Sequence, residues 1–133
     1  MASIRIETSV AISPDEAWAA FRDVGAVHTR LARGFVTDCH IEEGARIVTF
    51  ANGFVAKELI VNIDDEGQRL AYAVSGSERL LHHNASFQVL AENGGSRIIW
   101  IADILPNSAE PAIRGMMEQG SVAMRKTLEA ADK

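Results

Sequence analysis

Three side chains in this sequence have the chemistry to hold or transform a small molecule inside a protein: Glu58, Tyr72 and His83. Glu58 stands in Lys57-Glu58-Leu59-Ile60, in a stretch that also carries Val55, Ala56 and Val61. An ionised carboxylate facing an apolar interior is costly to bury. An inward Glu58 beside Tyr72 would therefore be placed to act as a general base or to orient a ligand hydroxyl. The competing reading is a surface carboxylate next to Lys57, or an inward one satisfied by Tyr72. In His82-His83-Asn84 the two histidines are adjacent on a strand, so they point to opposite faces and are badly spaced for joint metal binding. We take His83 as the inward one, a proton shuttle or hydrogen-bond donor, against the plainer alternative of an ordinary hydrogen-bonded histidine. His28, in His28-Thr29-Arg30, is a further candidate, with an exposed helix histidine as its alternative.

Other chemistries lack their motifs. Cys39 and His40 are neighbours that face opposite ways on a strand, and neither a Cys-x-x-Cys nor a His-Glu-x-x-His pattern occurs, so no metal is expected. No Gly-x-Ser-x-Gly elbow and no glycine-rich phosphate loop are present, so neither covalent catalysis nor a cofactor is expected. The formal net charge is −5 and the 13 Lys and Arg residues are scattered, which argues against nucleic acid and anionic membrane as partners. A single cysteine permits no internal disulfide. The N-terminus does not read as a signal peptide, and no apolar run approaches the roughly 18 residues of a membrane span. A cytoplasmic protein without membrane insertion is the expectation.

The elements that position these residues follow from periodicity. The 133 residues read as one domain, 1–133. Ile4, Ile6, Thr8, Val10 and Ile12 alternate with polar residues, which predicts a half-buried strand near 3–12. Ser13-Pro14-Asp15-Glu16 is a helix start with a cap, a proline for the first turn and a capping-box glutamate. A second short helix is expected over 26–32, with Val27 and Leu31 four apart. Strands follow near 35–43, 45–51, 54–63, 69–75, 80–91 and 97–105, joined by short turns, with Asn52-Gly53 reading as a two-residue hairpin and Gly76-Ser77-Glu78 as another turn. Beyond Pro106, the repeat of Ile113, Met116, Met117, Gly120, Met124, Thr127 and Leu128 predicts one amphipathic helix near 109–130. Short connections imply an antiparallel meander, with the first strand pairing to the last.

This order resembles the START-like helix-grip superfamily (SRPBCC), and within it the bacterial polyketide cyclase/dehydrase group. The resemblance is carried by Ser13-Pro14-Asp15-Glu16-Ala17-Trp18, Lys57-Glu58-Leu59-Ile60, Arg69-Leu70-Ala71-Tyr72, Arg97-Ile98-Ile99-Trp100 and the tail from Pro106. It implies an α+β fold. A curved seven-stranded antiparallel sheet would carry two short helices after strand one and a long C-terminal helix enclosing a cavity. It also implies that the segment around His28 rims the cavity mouth. It does not choose among cyclases, carriers and receptors.

Hairpin arithmetic then assigns faces. A two-residue Asn52-Gly53 turn places Ala51 opposite Phe54, Thr49 opposite Ala56 and Ile47 opposite Glu58, with Glu58 near Tyr72 and Ile60 near Leu70. The last hairpin sets Phe87 near Trp100, Ala85 near Ala102 and His83 near Ile104. The expected cavity set is Ile47, Thr49, Glu58, Leu70, Tyr72, His83, Phe87 and Trp100, with Met116, Met117, Gly120 and Met124 from the helix. A rival apolar set, Val55, Leu59, Val61 and Ile63, would instead turn Glu58 outward. The leading functional expectation is a binder of a small apolar or amphipathic ligand such as a lipid, polyketide or aromatic metabolite. The alternatives are a cofactor-free cyclase or dehydrase using Glu58 and His83 as base and acid, and an interaction module with a filled core. For the module, Ile99 and Ile101 would mark a homodimer contact.

Overall fold

The computed structural model of the protein describes residues 2–75 and 81–131; the turn expected at residues 76–78 and the start of the strand expected at residue 80 lie outside them. Seven strands form: β1 (Ala2–Val10), β2 (Val36–Glu42), β3 (Ala45–Phe50), β4 (Val55–Asp64), β5 (Arg69–Ser75), β6 (His82–Glu92) and β7 (Gly95–Leu105). They make one sheet in the order β1-β7-β6-β5-β4-β3-β2, antiparallel throughout. The meander runs from β2 to β7, and β1 closes on β7 with Ile6 opposite Trp100. Right-handed strand twist curls such a sheet, and its inner face is covered by α2 (Glu110–Ala131).

The helix α1 (Pro14–Arg22) starts where its cap predicts: Ser13 Oγ accepts the Glu16 N–H at 3.2 Å and donates to the Glu16 carboxylate at 3.1 Å. It buries Ala17, Trp18, Ala20 and Phe21 against the sheet. The second short helix expected over 26–32 forms as one π-helical turn, Val27–Leu31, in which the Ala32 N–H reaches back five residues to the Val27 carbonyl at 2.8 Å. Ala26 offers no side chain to cap it, and it runs for five residues. A single turn at Asn107–Ala109 leads into α2. No helix among the described residues is long and apolar enough to cross a membrane.

The β6–β7 register is the one read from the sequence, with Phe87 opposite Trp100, Ala85 opposite Ala102 and His83 opposite Ile104. The β3–β4 hairpin differs by one residue. Asn52 Oδ1 accepts the Phe54 N–H at 2.9 Å, Gly53 takes a positive φ of 89°, and Phe50 N–H bonds the Phe54 carbonyl at 2.8 Å. The loop is therefore three residues, Ala51 to Gly53, and Thr49 faces Val55, Ile47 faces Lys57 and Arg46 faces Glu58. A one-residue slip exchanges the faces of a strand, so β3 turns Arg46, Val48 and Phe50 inward in place of Ile47 and Thr49.

The β4–β5 ladder carries a bulge at Val61. Glu58 faces Val74 and Ile60 faces Tyr72, then Asn62 pairs with Ala71 and Ile63 with Leu70. The expected pairings of Glu58 with Tyr72 and of Ile60 with Leu70 are displaced by two or more residues, because the turn closes with Asp64 opposite Arg69 and the bulge takes up only one residue. It also splits the rival apolar set. Val55, Leu59 and Val61 are exposed, while Ile63 packs on the core. Ile99 is buried and Ile101 half-buried, while Ile41 of β2, Val55, Leu59 and Val61 of β4 and Leu90 of β6 are exposed.

Candidate ligand cavity

Between the inner face of the sheet and α2 lies a cavity of about 500 Å³. That falls within the range of small-molecule sites. Its walls are mostly apolar. Val48 and Phe50 come from β3, Ala56 from β4, Phe87 from β6, Trp100 from β7, and Ile113, Met116, Met117 and Met124 from α2. Flexible thioethers on the helix side can adapt to varied apolar shapes. One wall is an aromatic stack: Phe87 lies 4.8 Å from Trp100 and 5.9 Å from Tyr72 between ring centroids. Phe35, Phe50 and Phe54 form a second aromatic group, in contact at 5.5 and 6.1 Å, near the three-residue loop.

The polar residues converge from four neighbouring strands. Arg46 of β3 and Glu58 of β4 meet directly across the hairpin, and Arg46 Nε donates to Glu58 Oε1 at 2.8 Å. Both are buried, Arg46 at 2% and Glu58 at 8% exposure, so the bond is an ion pair withdrawn from water. Such a pair holds because each charge compensates the other's desolvation; removing one partner strands the other. The Arg46 guanidinium also stands over the Tyr72 ring, 5.4 Å from its centroid, and Nη1 makes a long contact of 3.5 Å with the Val24 carbonyl. Tyr72 OH accepts the indole N–H of Trp100 at 3.1 Å. Burial, reinforced by the negative charge of Glu58, pushes the Tyr72 phenol well above its ordinary range, so it remains a neutral hydroxyl donor. His83 sits 6.5 Å from Tyr72 between ring centroids. Burial first, and the neighbouring His82 second, hold its pKa below the usual histidine value, which favours the neutral imidazole. Its Nδ1 has no hydrogen-bond partner among the described residues.

Of the residues singled out in the sequence, Glu58, Tyr72, His83, Phe87, Trp100, Met116, Met117 and Met124 line the cavity. His28 does not; it lies half-buried on the Val27–Leu31 turn, with Nδ1 enclosed. Gly120 is behind the wall, where an added Cβ would lie 3.2 Å from both Phe35 and Trp100. Leu70 is fully buried in the packing beneath, and Ile47 and Thr49 face away. Arg46 is the residue that sequence reasoning missed. Its parity with Val48 and Phe50 was the available signal, but a lone arginine on a strand reads as outward until its partner across the hairpin is known. The buried Cys39 has its thiol pushed up by burial and offers little reactivity.

A family model described as polyketide cyclase / dehydrase and lipid transport matches residues 1–129. The chain belongs to this family. No curated protein matches the sequence. Solved structures similar to this polyketide cyclase/dehydrase family member include the protein XoxI from Bacillus cereus, at 15% identity and TM-score 0.87, covering 100% of this chain and 99% of that one. Norcoclaurine synthase from Thalictrum flavum, a point mutant in complex with a transition state analogue, aligns at 20% identity and TM-score 0.73, over 99% and 96% of the two chains. The di-domain ARO/CYC protein BexL aligns at 12% identity and TM-score 0.82, with 97% of this chain on 47% of that one. At these identities the likeness is one of fold, and it places the chain among helix-grip proteins.

Proposed function

We propose that the protein binds one small apolar or amphipathic molecule, of the lipid, polyketide or aromatic-metabolite class, in the cavity between the sheet and α2. The observation that carries this reading is the cavity itself: about 500 Å³, walled by apolar side chains, with a few converging polar groups. Burial of the ligand's apolar part supplies most of the affinity, and Arg46, Glu58, Tyr72 and His83 orient its polar part. An interaction module with a filled core would have little use for such a volume. The test is a titration with the neutral fluorescent probe N-phenylnaphthylamine. The reading expects saturable binding at one site per chain, competed by unlabelled apolar molecules. Absence of saturable binding would remove it.

A second reading, a cofactor-free cyclase or dehydrase, is favoured by His83. A neutral imidazole on the cavity wall is suited to take a proton. This reverses the roles expected from the sequence. Glu58 is tied to Arg46 and acts as a positioning group, and His83 is the base. Tyr72, kept protonated, would donate a hydrogen bond to a substrate oxygen. Under this reading His83→Gln abolishes turnover of a carbonyl substrate while sparing its binding.

A further inference from the structure

Resting on that cavity-binding reading, we infer that the site selects a neutral ligand whose polar head both donates and accepts hydrogen bonds, and discriminates against carboxylates and ammonium ions. The argument begins with charge. Among the described residues that line the cavity, Arg46 and Glu58 are the charged ones, and they are bonded to each other at 2.8 Å. Their formal charges cancel, and burial favours neutral His83 and neutral Tyr72. An ionised head entering this space loses its hydration and finds no unpaired counter-ion. A carboxylate drawn to Arg46 meets Glu58 beside it, and an ammonium drawn to Glu58 meets Arg46.

Hydrogen-bonding capacity is left over in both senses. Among the described residues, Arg46 Nη2 makes no hydrogen bond and Nη1 only the 3.5 Å contact to Val24, so guanidinium donors remain. Glu58 uses Oε1, and Oε2 has no partner among the described residues. Tyr72 accepts from Trp100, and its own proton has no acceptor among the described residues. A hydroxyl, an amide or an enolised ketone satisfies both kinds of group at once; a carboxylate only accepts and an ammonium only donates. An apolar pair of the same volume would hold the β3–β4 hairpin about as well as the ion pair does. The chemistry of the pair is therefore directed at the cavity's contents.

The experiment compares decanol, decanoate and decylammonium as competitors of N-phenylnaphthylamine at neutral pH. These three share one chain and differ in head charge. Decanol is expected to compete at a concentration lower by about tenfold or more than either ion. In Glu58→Gln, which leaves Arg46 unpaired, decanoate gains about tenfold relative to decanol; in Arg46→Met, which leaves Glu58 unpaired, decylammonium gains instead. Equal competition by the three on the wild-type protein overturns the inference, as does a preference that neither variant moves. If a variant does not fold, the wild-type comparison decides alone. If neither the probe nor decanol binds, it is the cavity-binding reading that falls, and the inference with it.

Discussion

Gly120 is the point where helix, aromatic wall and cavity meet, and its replacement has a calculable outcome. A Cβ built on it lies 3.2 Å from Phe35 Cε2, 3.2 Å from Trp100 Cζ3 and 3.4 Å from Trp100 Cη2. Ordinary van der Waals contact for such a Cβ begins at 3.4 Å, so both rings must yield by a few tenths of an ångström. Trp100 is held by its bond to Tyr72 and its stacking on Phe87, while Phe35 borders the cavity and can move into it. Gly120→Ala recovers about 1 kcal/mol of helix propensity. Against this stands the overpacking of one methyl between two rings, at about 1 kcal/mol or somewhat more. The two nearly cancel, and we expect stability within about 1 kcal/mol of wild type rather than a clear gain. Gly120→Leu adds three further carbons, costs about 2–3 kcal/mol, and drives Phe35 into the ligand space. Urea unfolding followed by circular dichroism gives the first quantity, and N-phenylnaphthylamine binding gives the second. A Gly120→Ala protein stabilised by the full ~1 kcal/mol, with a Gly120→Leu protein that binds the probe normally, would show that Gly120 faces open space.

Three other perturbations bear on the same site. Glu58→Gln strands a buried guanidinium and should cost about 3 kcal/mol in urea unfolding, whereas the double replacement Arg46→Met with Glu58→Leu should return to near wild type; a double mutant as unstable as the single one would mean that the pair is not coupled. His83, with its pKa held below the ordinary 6.5, favours the neutral form in the folded state, so the unfolded chain binds the proton first. Its contribution is complete above pH 6.5 and declines as the pH falls through the folded-state value. His83→Phe should flatten the acid side of the stability profile, and an unchanged profile would contradict the assignment. Trp18 is bonded to Asp65 outside the cavity and Trp100 lines it, so Trp18→Phe should preserve a ligand-induced change in tryptophan emission and Trp100→Phe should remove it. The reverse pattern would place the ligand elsewhere.

Element types and order were legible because they depend on local periodicity. The alternation of Phe87 with Val89 and of Ile98 with Trp100, on either side of the turn at Asn93-Gly94-Gly95, pointed to the register that forms, with Glu92 opposite Gly95. The β3–β4 hairpin shows the limit. Asn-Gly serves two-residue and three-residue loops alike, and the choice was made by the Asn52 side chain taking the Phe54 N–H. Counting residues cannot reveal that bond. The slip it causes swaps Ile47 and Thr49 for Arg46, Val48 and Phe50, and so hides the ion pair with Glu58. Glu58 itself points inward despite the apolar run Val55, Leu59 and Val61, because Arg46 across the hairpin supplies its counter-charge. The bulge at Val61 then restores Ile63 to the core side. The short helix at Val27–Leu31 was legible from two buried apolar residues four apart, though its wider π-type winding was not. In the hairpin the missing information was a side chain reaching the backbone two residues on; for the ion pair it was the partner strand.

The central claim is that the cavity between the sheet and α2 exists to hold a small molecule, and native mass spectrometry of the purified protein tests it most directly. The account predicts a species heavier than the 14.4 kDa chain by one discrete small-molecule mass, lost on denaturation. That molecule should be neutral and predominantly apolar, and after its extraction the protein should take up N-phenylnaphthylamine at one site. A protein that carries no small molecule and also refuses the probe would contradict the account.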